Sequence, residues 1–321
     1  MDFIAEVFRS LIFSIFSFVL QFSLTVFHFT HKTFNGMVEE YVNLGITQTD
    51  PGNGIFSVLK GLSKTTIVPL ATFLITMVLC YELIQVTQAK NSFHGENPEY
   101  DVAKYVFKAM ILLFCVNHAM EFFHMIFKAG NFLMKNLLSS GFSEVKTDIW
   151  KYPPEEIMKE VGEIYKKATH DIIPQLIVLS LAFAVIGLAQ GALLLVIGYV
   201  LFSRLYYLYI YFIISPISVI TFGTHKWANI GDNHFRVVIS FAIQVFLIIL
   251  LTIIHSHISV FLYQKLSADG TIKDVIVNSL SNSMPLGNLV GFLLQLLLVS
   301  IVLIFTILHI PNFSKSLVGT N

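Results

Sequence analysis

From Ile172 to Ser203 the chain runs 32 residues without Asp, Glu, Lys or Arg, and from Leu205 to His225 another 21. Arg204 is the only formal charge between Asp171 and Lys226. A lipid span takes about 20 apolar residues, at about 1.5 Å each across roughly 30 Å of hydrocarbon. The stretch therefore reads as two membrane helices with a break near Arg204. Gly187 and Gly191 stand four apart on one helix face, a spacing that lets two backbones approach closely. Pro216 follows the run Tyr206-Tyr207-Leu208-Tyr209-Ile210-Tyr211. Inside a span, proline deprives the carbonyl four residues earlier, near Phe212, of its amide. That carbonyl must find a partner in protein or water, because lipid offers none.

The rest of the chain extends this reading. Of its 321 residues 55% are hydrophobic and 12% charged, against about 25% charged in a soluble domain. The expected class is an all-α, polytopic transmembrane helical bundle of six or seven spans, a single membrane domain over residues 1–321 with amphipathic interfacial helices. A net charge of zero leaves no whole-chain field to attract nucleic acid. Cys80 and Cys115 both lie in apolar segments and read as reduced thiols filling space.

Residues 1–31 form the first helix. Ser10, Ser14, Ser17, Gln21, Thr25 and His28 recur at steps of three or four and make one polar stripe. Either the helix spans with that stripe against the bundle, or it lies in the interface. Lys32 to Lys64 is a polar connector with turn signals at Asn35-Gly36 and Asp50-Pro51-Gly52-Asn53-Gly54. It ends in a short amphipathic helix from Ile55. Residues 66–127 hold two spans, with Pro69 in the first turn of one and Glu82 reaching headgroups at its far end. The segment 128–171 is a polar loop of seven lysines and seven carboxylates. Within it Pro153-Pro154 opens an amphipathic helix whose apolar face is Ile157, Val161, Ile164 and Ala168. Such a helix lies on the membrane or on a partner protein. Core spans fill 172–262, Ser267 to Pro285 is a loop, and the last span runs over 286–310, ended by Pro311.

Candidate chemistry is sparse. His118, Glu121 and His124 fall at steps of three on one flank of a span. The sharp reading is an intramembrane proton relay or metal site. The plain reading is a polar stripe facing partner helices, with Glu121 neutral or paired to histidine, and three ligands at this spacing match no known metal motif. Gly61-Leu62-Ser63-Lys64-Thr65 fails as a phosphate-binding loop, because Ser63 stands where glycine is needed. No Gly-x-Ser-x-Gly, His-Glu-x-x-His or Cys-x-x-Cys occurs. No enzyme class, catalytic residue, metal or cofactor is therefore expected. Basic residues give thirteen on the side of Lys32 and the 128–167 lysines, with Lys226, Arg236 and Lys315. Six lie on the other side, among them Arg204, Lys265 and Lys273, so the richer side is expected to be cytoplasmic.

One block carries a resemblance. Phe202-Ser-Arg-Leu-Tyr-Tyr-Leu-Tyr-Ile-Tyr-Phe-Ile-Ile-Ser-Pro-Ile-Ser218 is followed by a polar loop and by Phe235-Arg-Val-Val-Ile-Ser-Phe-Ala-Ile-Gln-Val-Phe246. Over about residues 172–262 this resembles the TrbL-type polytopic subunits of type IV secretion machines, particularly those of conjugative elements in Gram-positive bacteria. Arg204, Pro216 and Gln244 carry the pattern. The resemblance implies a non-catalytic channel or scaffold subunit in the bacterial cytoplasmic (inner) membrane. It would work beside an ATPase, a coupling protein and extracytoplasmic subunits, meeting transported DNA or protein only as part of the machine. Two other readings stand beside it. Glu121 with its histidines suits a small-solute transporter, and Gly187 with Gly191 suits a structural homo-oligomeric scaffold.

Overall fold

The computed structural model describes residues 2–47, 55–91, 98–144, 152–167, 173–223, 226–266, 271–281 and 286–319. Among these residues there is no strand. Nine α-helices follow one another: α1 (Asp2–Thr47), α2 (Ile55–Leu62), α3 (Val68–Asn91), α4 (Pro98–Glu144), α5 (Pro154–Lys167), α6 (Ile173–Thr221), α7 (Ala228–Leu266), α8 (Ile272–Leu280) and α9 (Leu286–Val318). A π-helical turn, Ser63–Ile67, joins α2 to α3. Six helical stretches are long and apolar enough to cross a membrane: Glu6–Thr30, Ile55–Gln85, Ala103–Leu137, Ile173–Thr221, Ala228–Lys265 and Val290–Val318. The protein is thus a helical membrane protein, as its charge-free runs require.

Several helices run past the ends that charge and turn residues mark. α6 continues through Arg204 as one helix of 49 residues, so the break expected there does not exist. One arginine does not interrupt the i to i−4 ladder, since arginine is itself a good helix former. α9 likewise continues through Pro311. It stops at Gly319, whose φ of 71° is the left-handed conformation a glycine C-cap adopts. α1 absorbs Asn35-Gly36, α4 extends to Glu144, and α7 takes in Gly231-Asp232-Asn233. The turn signals 50–54 and Ala168 lie outside the described residues. Inside the expected 267–285 loop stands α8, begun by Thr271, whose Oγ1 accepts the Asp274 N–H at 3.3 Å.

The chain divides into two compact units, and the long helices contribute a portion to each. The first comprises residues 1–40, 136–200 and 248–309. Its core joins Leu20, Leu24 and Phe27 of α1 to Leu176, Leu179, Phe183 and Ile186 of α6, with Tyr263, Ile276 and Leu296 from α7, α8 and α9. Ile157 and Val161 of α5 enter the same core. The amphipathic helix therefore docks its apolar face on its own chain, and a foreign partner is not needed to cover it. Lys273 of α8 fixes it there, 2.8 Å from Glu160 and 4.1 Å from the Tyr152 ring centroid. The hydrogen bond that Lys273 donates to the Glu160 carboxylate raises the ammonium above its ordinary range. Gln190 of α6 donates to Ser300 of α9 at 2.7 Å, a buried tie between helices.

On α1 the polar stripe points outward. Ser10, Ser14, Gln21 and Thr25 are exposed, while Leu20, Ser23, Leu24, Phe27 and Thr30 are buried. The hydroxyls of Ser10, Ser17 and Thr25 donate to carbonyls three or four residues back, at 2.9, 3.0 and 2.8 Å. A hydroxyl satisfied on its own helix exerts no pull toward the bundle.

The second unit comprises residues 41–135, 201–247 and 310–321. Ala71, Ile75 and Val78 of α3 pack on Leu112 and Val116 of α4 and on Ile220 of α6. Aromatic rings fill the remainder: Phe123 and Tyr211 close on His234, and Tyr207 stacks on Phe241 at 6.2 Å between centroids. Arg236 of α7 donates to the Val318 and Gly319 carbonyls at 3.1 and 3.4 Å, placing a cation on the carbonyl end of α9.

Candidate functional site

The densest polar cluster of the second unit forms around the π turn. Pro69 has no N–H and its ring crowds the carbonyl four residues earlier, so an α ladder cannot close there. The wider turn takes up the misfit, with Val68 N–H bonding to the Ser63 carbonyl. The turn brings Ser63, almost fully buried, against α6, where its hydroxyl donates to the Ile213 carbonyl at 3.4 Å. Pro216 is buried at the same place. The Phe212 carbonyl, left without an amide by that proline, accepts the Ser215 hydroxyl at 2.6 Å. Ser215 thus supplies the partner that a proline inside a span demands, and Ser63 ties the π turn to α6 one residue further on.

Lys60, Ser63, Lys64, Val68, Val116, Asn117, Met120, Glu121 and Pro216 line a small, open cleft. Across it the Glu121 carboxylate accepts from Lys60 at 2.5 Å and meets His118 Nδ1 at 2.9 Å. Of the three residues spaced along the flank of α4, His118 and Glu121 do meet. His124 instead stacks on Phe56, centroids 3.9 Å apart, with Phe212 edge-on at 6.3 Å. Among the described residues no three of His, Cys, Asp and Glu come together as a metal would need. The sequence reading missed Lys60 as the partner of Glu121. It likewise named no partner for Glu82, which accepts from Lys108 of α4 at 2.8 Å. In both cases the missing signal is long-range, since nothing local on α3 names a lysine on α4.

The family-pattern residues do not form one site. Arg204 is half-buried on α6, its guanidinium 6.0 Å from the Phe241 ring centroid. Gln244 is fully buried on α7 and donates to Ser240 at 3.1 Å, which pairs with Ser314 of α9 at 3.0 Å. The two glycines also part company. A Cβ on Gly187 would lie 3.4 Å from the Ser23 carbonyl oxygen of α1, so this glycine serves a close approach inside the first unit. A Cβ on Gly191 would meet nothing within 4 Å.

What these groups do chemically is join helices. Lys60–Glu121, Glu82–Lys108, Gln190–Ser300 and Ser240–Ser314 each link side chains from two different helices. In hydrocarbon such polar pairs act as fasteners between helices. Fold and site together define a multi-pass α-helical membrane protein held together by interhelix polar ties. The family described as "TrbL/VirB6 plasmid conjugal transfer like protein" matches residues 35–216, more than half of the chain. The chain belongs to that family and is a subunit of a conjugal-transfer, type IV secretion machine, working with the machine's other subunits. Arg204 and Pro216 fall inside the matched residues, and Gln244 falls beyond them. Comparisons with curated proteins and with solved structures gave no match.

Proposed function

We propose that this chain is a non-catalytic channel or scaffold subunit of the bacterial inner membrane, set beside the machine's ATPase and coupling protein. The observation that carries the reading is the use made of polar groups between helices. Lys60, Glu82, Lys108, Glu121, Gln190, Ser300 and Ser314 are all engaged across helix pairs. Groups held in this way resist rearrangement and favour a rigid frame around which other subunits assemble. Arg204 is the candidate to face transported substrate, and Pro216 and Gln244 to shape the helices beside it. Further copies of the chain complete the assembly, and DNA or protein meets it only there.

Deleting the gene should abolish transfer of the element and leave growth unchanged. Arg204→Ala should lower transfer frequency about tenfold or more at unchanged protein level. Unchanged transfer in the deletion strain would end the reading. Solute uptake by the purified protein in vesicles, lost in Glu121→Gln, would replace it with a small-solute transporter.

A further inference from the structure

We propose that the cleft at the π turn binds the phosphate of an anionic lipid headgroup, with Lys64 as its principal contact. Three observations lead there.

The first is depth. From Thr65 to Tyr81 there is no formal charge, 17 residues that rise roughly 26 Å, close to the thickness of the hydrocarbon. Ion pairs close both ends of that interval, Lys60–Glu121 at one and Glu82–Lys108 at the other. On α4 the facing stretch from Ala109 to Met120 is likewise free of charge. Lys60 and Lys64 therefore lie where headgroup phosphates lie.

The second is charge. Glu121 is engaged by Lys60 and His118, so the carboxylate in the cleft already has its cation. Lys64 lines the same cleft, and among the described residues no carboxylate lies within ion-pair distance of it. Lys128 falls seven positions after Glu121, on the same flank of α4, and adds positive charge at that end. A surplus of ammonium groups at the bilayer edge attracts anionic lipid.

The third is shape. The lining of the cleft combines polar groups, from Ser63, Asn117 and the lysines, with apolar ones, from Val68, Val116, Met120 and Pro216. A phosphate beside acyl chains fits this pairing. A phosphate on a polymer leaves the apolar lining unused.

The test is native mass spectrometry of the full chain in detergent, titrated with phosphatidylglycerol or phosphatidylcholine. The wild type should retain phosphatidylglycerol preferentially. Lys64→Gln should weaken that retention about fivefold, equivalent to about 1 kcal/mol, and Lys64→Arg should restore it. Lys226→Gln is the control for diffuse attraction and should retain lipid as the wild type does. Equal loss in Lys64→Gln and Lys226→Gln would overturn the site. So would full retention in Lys64→Gln, or displacement of the lipid by millimolar inorganic phosphate or by a short single-stranded oligonucleotide. None of these outcomes bears on whether the chain serves DNA transfer, so this site and that role can fail separately.

Discussion

Glu121 holds two partners at once, Lys60 of α2 and His118 of its own helix. Glu121→Gln keeps the shape but leaves Lys60 without its counter-charge. Because both side chains are about one-third exposed, the cost should stay near or below about 1 kcal/mol. Adding Lys60→Met should recover most of it, since the orphaned ammonium is then gone. Thermal unfolding in detergent would measure both, and a double variant no more stable than the single one would deny the tie. Spacing along α4 made His118 and Glu121 legible as neighbours. It could not name Lys60, which lies 61 positions away in sequence and is positioned by a π turn. The need of the Phe212 carbonyl was legible for the opposite reason, because the loss of an amide at Pro216 is local. His124 was misread as a third member of the cluster. The Phe56 ring of α2 decides its direction by stacking.

At the scale of helices the sequence was most reliable where solvent dictates the answer. The apolar runs became helices, and α5 starts at Pro154 with Glu155 and Glu156 in its first turn and Lys166 and Lys167 in its last. Boundaries were read from charges and prolines, which is a rule about where helices meet water. α6 passes Arg204 because arginine is itself a good helix former, and α9 passes Pro311 with helical geometry on both sides. The glycine pair shows the same limit. Spacing put Gly187 and Gly191 on one face, but only Gly187 meets a neighbouring backbone. Gly187→Leu should therefore push α1 off α6 and destabilise by about 1–3 kcal/mol, as overpacking does. Gly191→Leu should leave the thermal transition of the isolated chain within about 0.5 kcal/mol. Equal destabilisation by the two would mean that the α1 contact at Ser23 is not the reason for glycine at 187. Loss of oligomer in Gly191→Leu alone would assign that open position to a neighbouring copy.

For the molecule as a whole, the continuity of α6 changes the count of crossings. Two spans on either side of Arg204 would return the chain to the side it left. One helix from Ile173 to Thr221 that crosses once would deliver its ends to opposite sides, so every segment after it would change side. Two contacts agree with the revised order. Lys273 pairs with Glu160, although the two-span order put them across the bilayer from each other. Lys226 sits 6.0 Å from the Tyr81 ring centroid, beside Glu82 and away from the Lys60 end of that hairpin. Basic residues then sort about as unevenly as before. Lys32, Lys60, Lys64, the seven lysines of 128–167, Lys265 and Lys273 make twelve on one side, against Lys90, Lys104, Lys108, Lys226, Arg236 and Lys315, which make six. The richer side should be the cytoplasmic one, by the excess of Lys and Arg that cytoplasmic loops carry. In a chain with Cys80 and Cys115 changed to Ser, a membrane-impermeant maleimide applied to spheroplasts should label Lys226→Cys and leave Glu163→Cys unlabelled until the membrane is opened. Labelling of both from outside, or of neither, would restore an even number of crossings between them and return Arg204 to a break in the membrane path.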